Sequence, residues 1–160
     1  MEFRSIKGTY DILPNDADSW QRVETCVREF ITRAGYSEIR TPAFEKTELF
    51  TRSVGEDSDV VSKEMYSWPD HGGTDITLKP EYTASVIRSY IQHNLGAKLP
   101  LTKLYYLDNL FRRERPQKGR YRQFRQYGIE AIGSPHPDQQ AEVITIPNKH
   151  RDQHRRKEIS

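Results

Sequence analysis

The sequence predicts an α+β fold in which helices pack against an antiparallel sheet. Two stretches, residues 20–31 and 83–95, carry apolar residues at helical spacing. Two neighbouring stretches, 103–114 and 120–132, are rich in strand-forming residues and are separated by the turn sequence Pro-Gln-Lys-Gly at 116–119. Helices combined with neighbouring antiparallel strands indicate a sheet with helices against it.

The first predicted helix has one apolar face. We expect Asp16 or Asp18 to cap its beginning and Gly35 to end it. The apolar positions of this face are Trp20, Val23, Val27, Phe30 and Ile31.

The second predicted helix covers 83–95, and we expect Gly96 to end it. Its predicted apolar face consists of Val86, Ile87, Tyr90, Ile91 and Leu95.

Shorter elements are predicted between the two helices. Residues 36–41 form a strand that ends at Pro42, because proline cannot continue a central ladder. Residues 46–52 form a helical turn, 70–73 a tight turn and 76–78 a strand.

The composition indicates one domain without disulfide or membrane-spanning segments. The chain has 160 residues, with 25 Lys and Arg against 23 Asp and Glu, and a single cysteine, Cys26. One cysteine cannot build a disulfide framework or a cysteine zinc site, and no apolar run approaches the roughly 18 residues of a membrane span. We therefore expect a soluble protein of a reducing, cytoplasmic setting, with no protein-bound metal.

The last fourteen residues differ in character from the rest. Residues 147–160 hold five Lys and Arg and two Asp and Glu, and Ile159 is their only apolar residue. No core-facing stripe can be drawn through them, so we predict a folded unit over 1–146 and a disordered basic tail over 147–160. A basic arm that binds nucleic acid is the alternative.

A second basic cluster, residues 112–125, lies in the predicted hairpin and holds seven Lys and Arg and one Glu. Period-two alternation on the return strand places Arg120, Phe124, Gln126 and Glu130 on one face. Arginine matches phosphate oxygens, an aromatic ring can stack on a base, and a carboxylate with an amide can bind a cationic group. The face therefore suits a polyphosphate together with a cationic small molecule, although a solvated hairpin explains the same alternation.

The hairpin sequence FRRERPQKGRYRQFRQYGIE resembles motif 2 of class II aminoacyl-tRNA synthetases, in the form typical of histidyl-tRNA synthetase. Four further blocks, KGTYDILP, GYSEIRTPAFEKTELFTRSVGE, VSKEMY and TLKPEYTA, extend this resemblance over residues 7–146. It implies a class II catalytic domain, an antiparallel sheet flanked by helices. It also implies ATP-dependent activation of L-histidine and transfer to tRNA(His), with ATP and Mg²⁺ as substrate and a cytoplasmic homodimer as the family's state.

The resemblance also implies roles for the nucleotide-binding residues. Arg112 would hold the α-phosphate of ATP and stabilise the transition state, and it would also lie beside the bound histidine. Glu114 would accept a hydrogen bond from the adenine amino group, Arg120 would reach the γ-phosphate, and Phe124 would stack on adenine. Taken singly, the two charged residues Arg112 and Glu114 are equally explained by a cross-strand charge network, and Phe124 by the core.

By the same resemblance, Glu81 and Thr83 would grip the α-ammonium group of histidine, with Gln126 beside them, and Glu130 would face the imidazole. Glu81 is equally explained as an acid at a helix N-terminus.

Two other parts of the family pattern fall on surface positions. Gln117 and Lys118 at the hairpin tip would approach the acceptor end of the tRNA. Pro42 lies in the segment that resembles motif 1, which forms the dimer.

The sequence departs from the family pattern in four respects, one of which is Gln140, at a place where an aspartate before Ala-Glu is typical. Lys79 replaces the more usual arginine, and Tyr82 stands where glycine is common, so its ring either narrows the amino-acid pocket or points away from it. Nothing in residues 147–160 resembles motif 3 or an anticodon-binding domain. We therefore expect the chain to be an amino-terminal part of the catalytic domain that is not competent alone.

Two other functions fit parts of the pattern. A synthetase-like regulatory subunit of ATP phosphoribosyltransferase would bind histidine without charging tRNA. A small RNA-binding module would use the hairpin and the basic tail, with steep salt dependence and no ATP binding.

Overall fold

The computed structural model describes residues 2–55, 64–97 and 99–146, and over these residues the α+β prediction is confirmed. The helices are α1 (Pro14–Arg33), α2 (Thr47–Val54), α3 (Thr83–Gln92) and α4 (residues 137–146). The strands are β1 (Ser37–Glu38), β2 (Phe44–Lys46), β3 (Tyr66–Pro69), β4 (Asp75–Leu78), β5 (Thr102–Phe111) and β6 (Gln123–Ile132).

The main sheet has the strand order β1-β5-β6. Strands β5 and β6 form the predicted long antiparallel hairpin, with ten residue pairs from Thr102↔Ile132 to Phe111↔Gln123. Strand β1 runs parallel to β5 and is shorter than predicted. The Ile39 N–H still donates to the Tyr105 carbonyl of β5 at 2.8 Å, but the Thr41 N–H donates to the Tyr82 hydroxyl rather than to a neighbouring strand, so the pairing does not continue to residue 41.

A second, antiparallel sheet has the order β2-β4-β3. The predicted turn at 70–73 joins β3 to β4, and the predicted strand at 76–78 lies within β4; both are confirmed. Strands β2 and β3 were not predicted. The buried Thr77 hydroxyl ties this sheet to α2, since it lies 2.7 Å from the hydroxyls of both Thr47 and Ser67.

The two faces of the β5–β6 hairpin carry different cores. On one face Tyr105 packs with Val27 and Ile31 of α1 and with Ile146 of α4. On the opposite face Leu104, Tyr106 and Leu110 pack with Tyr82, the N-cap residue of α3, and with Val86 inside that helix. The second face is the one that carries the predicted site.

The beginning of α1 corrects one prediction. Leu13 is the N-cap residue and makes no side-chain cap hydrogen bond, so the expected cap by Asp16 or Asp18 is wrong. Pro14 begins the helix because its fixed φ and missing N–H suit that position, and Asp16 lies in the first turn. The predicted end at Gly35 is confirmed, with φ of +84° and its N–H bonded to the Thr32 carbonyl at 2.9 Å.

Helix α3 corrects two more predictions. It ends at Gln92 rather than at Gly96, because Asn94 adopts a φ of +50°. The buried face includes Ala84, Ser85 and Val86, whereas Ile91 is 70% exposed. The apolar stripe expected along 86–95 is therefore only partly buried.

None of the helices described is both long and apolar enough to cross a membrane. The predicted disordered tail, 147–160, lies outside the described residues.

Candidate nucleotide and amino-acid site

The register of the hairpin gathers most of the predicted residues on one face of the main sheet. Phe124 lies opposite Leu110, Gln126 opposite Asp108, and Glu130 opposite Leu104. Directly opposed residues project to the same side, so these β6 side chains share the face covered by the start of α3.

Arg120 reaches this group from the hairpin loop instead of from the strand. Strand β6 begins at Gln123, so the return strand predicted from residue 120 is too long. Arg120 closes a turn with Gln117, whose carbonyl accepts the Arg120 N–H at 2.9 Å, and the Arg122 N–H donates to the Gly8 carbonyl at 2.7 Å. These bonds lie at the loop end of the hairpin, beyond the last strand pair Phe111↔Gln123.

The four predicted nucleotide-binding residues are linked by a chain of three contacts. The Arg112 guanidinium lies 5.4 Å from the centre of the Phe124 ring. Its Nη1 is 3.9 Å from Glu114 Oε1, and Arg120 Nη1 is 3.5 Å from Glu114 Oε2. The cluster therefore offers two guanidinium groups and an aromatic ring around one carboxylate.

Glu114 is the carboxylate at the centre of this cluster, and its side chain is only 14% exposed. Its Oε2 atom has the Arg120 guanidinium as an ion-pair partner at 3.5 Å, a contact too long for a well-formed hydrogen bond. The charge of the carboxylate is therefore balanced by two arginines.

The predicted amino-acid residues form a second, acidic group. Thr83 Oγ1 donates to Glu130 Oε1 at 2.7 Å. Burial raises the pKa of Glu130 above its ordinary range, the Thr83 hydrogen bond lowers it, and the charge of Glu81 raises it again. Two neighbouring carboxylates in a half-buried position favour a cationic ligand, which would relieve their repulsion.

Tyr106 belongs to this acidic group and was missed from the sequence. It lies opposite Gly128, is only 5% exposed, and is close enough to Gln126 for that side chain to lower its pKa. Burial, followed by the charges of Glu130 and Glu81, raises the pKa of Tyr106 to about 12. Gly128 was the available signal, because a glycine inside a strand often marks a close approach by another group.

One hydrogen bond connects the two groups. Arg112 Nε donates to the Pro80 carbonyl at 2.9 Å, one residue before Glu81. The Glu81 Oε1 atom accepts the Ala84 N–H at 2.9 Å at the start of α3, so this acid also occupies the helix-terminal position considered above.

Tyr82 points away from the acidic group. Its hydroxyl accepts the Thr41 N–H at 3.0 Å, on the β1 side of the sheet, whereas Gln126 and Glu130 lie on β6 at the other edge. Its ring stacks on Tyr106, with 4.0 Å between the ring centres. The side chain is therefore part of the wall behind Tyr106.

The remaining predicted residues lie at the surface. Gln117 and Lys118 are exposed at the hairpin tip. Pro42 is also exposed and lines a groove between α2 and α3, together with Leu49 and Ile91. No residue of the two groups above lines this groove.

Within the described ranges, no group of three or more His, Cys, Asp or Glu side chains is arranged to hold a metal ion.

Comparison with known proteins identifies the family. A family model described as histidyl-tRNA synthetase matches residues 8–153. The histidine–tRNA ligase of Chloroherpeton thalassium is 53% identical over 147 residues, which cover 91% of this chain and 34% of that protein. That of Desulfosudis oleivorans is 56% identical over 139 residues, covering 87% and 33%.

Solved structures give the same result for the fold. The apo histidyl-tRNA synthetase of S. aureus superposes with a TM-score of 0.77 and 40% identity, over 93% of this chain and 34% of that one. A Bacillus halodurans protein described as an ATP phosphoribosyltransferase regulatory subunit/histidyl-tRNA synthetase superposes with a TM-score of 0.77 at 26% identity, over 94% and 38%.

The chain spans about a third of the length of the curated relatives it matches. The family model covers nearly all of the chain, and the fold and the hairpin motif agree with it. This chain is therefore a member of the histidyl-tRNA synthetase family.

Proposed function

We propose that this chain supplies the ATP-binding and histidine-binding hairpin of a histidine–tRNA ligase. That enzyme activates L-histidine with ATP and Mg²⁺ to histidyl-adenylate, and then transfers the histidyl group to tRNA(His). One observation carries the proposal. A basic and aromatic group and an acidic group lie on the same face of the sheet, and the hydrogen bond from Arg112 to the Pro80 carbonyl connects them.

The basic group suits ATP. Arg112 and Arg120 present guanidinium groups that match phosphate oxygens, and the ring of Phe124 offers a surface for adenine. The Glu114 carboxylate suits the adenine amino group, because a carboxylate accepts hydrogen bonds and the amino group donates them.

The acidic group suits the amino acid. Glu81 and Thr83 are assigned to the α-ammonium group, with Gln126 beside them, and Glu130 is assigned to the imidazole. Tyr106 lies beside this group, because Glu130, Glu81 and Gln126 all influence its pKa.

The proposed reaction needs little protein acid–base chemistry. The histidine carboxylate attacks the α-phosphorus of ATP, an oxygen–phosphorus bond forms, and the bond to the pyrophosphate leaving group breaks. Arg112 neutralises the charge that develops on the phosphoryl oxygens. Holding the two substrates in line supplies the rest of the rate enhancement.

We assign the outer positions to larger partners. Gln117 and Lys118 at the hairpin tip would contact the tRNA acceptor end, and Pro42 would lie in a homodimer interface in the cytoplasm. Because the 160 residues span about a third of the relatives, we expect this polypeptide alone to bind ATP and histidine without completing the reaction.

Isothermal titration of this chain with ATP·Mg²⁺ and with histidine tests the proposal. We expect Arg112→Gln to weaken ATP binding about tenfold or more, since a charge-assisted hydrogen bond is lost. Glu130→Gln should weaken histidine binding by a similar factor and leave ATP binding nearly unchanged. Arg22→Gln, at an exposed position on α1, is the matched control and should alter neither affinity.

The other functions predict different results. Histidine binding without ATP binding would favour the regulatory-subunit function. Binding of an acceptor stem that weakens steeply with salt, without affinity for either small molecule, would favour the RNA-binding module. Histidine-dependent pyrophosphate exchange by the pure chain would show that it is competent alone.

A further inference from the structure

Lys79 and Tyr82 connect the 79–83 segment, which carries Glu81 and Thr83, to the 39–43 segment. Both side chains are 1% exposed. Each reaches the backbone of the segment 39–43, which follows β1. This contact lies on the side of the 79–83 segment opposite to Glu130.

Four hydrogen bonds make the connection. The Tyr82 hydroxyl accepts the Thr41 N–H at 3.0 Å and donates to the Ile39 carbonyl at 3.5 Å. Lys79 Nζ donates to the Thr41 carbonyl at 3.3 Å, and the Lys79 N–H donates to the Ala43 carbonyl at 3.0 Å. Both backbone groups of Thr41 are thus satisfied by side chains of the 79–82 segment.

The two side chains also hold each other and the sheet. Lys79 Nζ lies 4.4 Å from the centre of the Tyr82 ring and 2.7 Å from Asp108 Oδ2 on β5. The Tyr82 ring in turn stacks on Tyr106. A buried ammonium with a carboxylate, a carbonyl and an aromatic face has one well-defined position.

We propose that Lys79 and Tyr82 form a latch that positions the substrate-binding segment 79–83. The latch fixes the 79–83 segment on the side that faces residues 39–43. The other side of the segment supplies the Pro80 carbonyl, which orients Arg112, and the Glu81 carboxylate. Lys79 and Tyr82 are positioning residues, because their side-chain hydrogen bonds go to the backbone of 39–41 and to Asp108, none of which is a predicted substrate-binding residue. The assignment of a substrate to the segment rests on the function proposed above; the mechanical coupling does not.

Amide hydrogen exchange tests the latch without any ligand. Tyr82→Phe keeps the ring and removes the hydroxyl, so the Thr41 amide should exchange about tenfold faster. The Ala84 amide, which donates to Glu81, reports on the position of that carboxylate and should also exchange faster. If Thr41 or Ala84 keeps its wild-type protection in Tyr82→Phe, the latch is wrong.

Tyr36→Phe is the matched control. Tyr36 is another buried tyrosine, 2% exposed, whose hydroxyl accepts a bond from Gln139 on the opposite face of the sheet. It should lose stability without altering the exchange of Thr41 or Ala84. Equal acceleration in both variants would show a general loosening and would overturn the positioning role.

Binding measurements add the functional arm. Tyr82→Phe should raise the Kd for histidine several-fold, and Tyr36→Phe should not, under conditions where both are folded. Asp108→Asn, which weakens the hold on Lys79, is the second variant and should act in the same direction. If wild type binds neither histidine nor ATP, the proposed function fails while the exchange results still decide the latch.

Discussion

Gly128 provides the sharpest test of how the acidic group is built. A Cβ at this position would overlap Oη and Cζ of Tyr106 and would lie 2.9 Å from its Cε1. The phenol ring cannot simply retreat, because it is 5% exposed and is stacked on the buried Tyr82. Gly128→Ala therefore forces a displacement in a packed region.

The expected cost follows from that geometry. Inserting a methyl group into a well-packed site costs about 1–3 kcal/mol. Since about 1.4 kcal/mol changes an equilibrium constant tenfold, the folding equilibrium should fall roughly 5- to 150-fold. For a urea m-value of about 2 kcal/mol/M, the unfolding midpoint should fall by roughly 0.5–1.5 M.

Urea unfolding followed by far-UV circular dichroism measures this shift. The matched control is Gly72→Ala, because no atom lies within 4 Å of a Cβ at that turn position. We expect the control to stay within about 0.5 kcal/mol of wild type. A midpoint for Gly128→Ala equal to that of the control would refute the reasoning.

A double-mutant cycle with Tyr106→Leu locates the cause. Leucine lacks the phenol atoms that the new methyl group would meet, so Gly128→Ala should cost much less in the Tyr106→Leu background than in wild type. Equal costs in the two backgrounds would assign the loss to the strand backbone rather than to the phenol ring.

Two further predictions concern charge and core. The pKa of Glu130 is raised in the folded state, so the stability that it contributes is complete below its unfolded pKa of about 4.3 and is lost as the pH rises through the folded value. Glu130→Gln keeps an acceptor for the Thr83 hydroxyl and carries no charge. The urea midpoint of this variant should therefore rise relative to that of wild type as the pH is raised from about 4 to 7. Ile31→Ala should cost about 2–5 kcal/mol in the same assay because Ile31 is 1% exposed, whereas Ile91→Ala should stay within about 0.5 kcal/mol because Ile91 is 70% exposed; similar losses would contradict the assignment of the core.

The hairpin and its shared face were predictable because both depend on local signals. The turn at 116–119 separates two strand-forming stretches, and period-two alternation decides which side chains share a face regardless of the rest of the fold. The placement of Phe124, Gln126 and Glu130 on one face followed directly from this. The prediction failed only at the loop end, where the Arg122 N–H bonds to Gly8, a residue far away in sequence.

The features that were missed depend on contacts between distant segments. Strand β1 stops early because the Thr41 N–H bonds to the Tyr82 hydroxyl. Nothing in the sequence of residues 36–41 predicts a hydrogen-bond partner 41 positions later. The partly exposed stripe of α3 has a similar origin: its apolar residues exceed the surface that the sheet can cover, so Ile91 faces the groove. Periodicity identifies an amphipathic helix but does not say how much of its apolar face is covered.

The electrostatics of the shared face argue against a merely solvated hairpin. On such a surface the carboxylates would be hydrated, and their pKa values would stay near those of free side chains. Glu130 is instead half-buried beside Glu81 with a raised pKa. This arrangement costs stability in the chain by itself, and a cation beside Glu130 would remove that cost. The raised pKa of Glu130 therefore supports the proposed binding of a cationic amino acid rather than a role in folding.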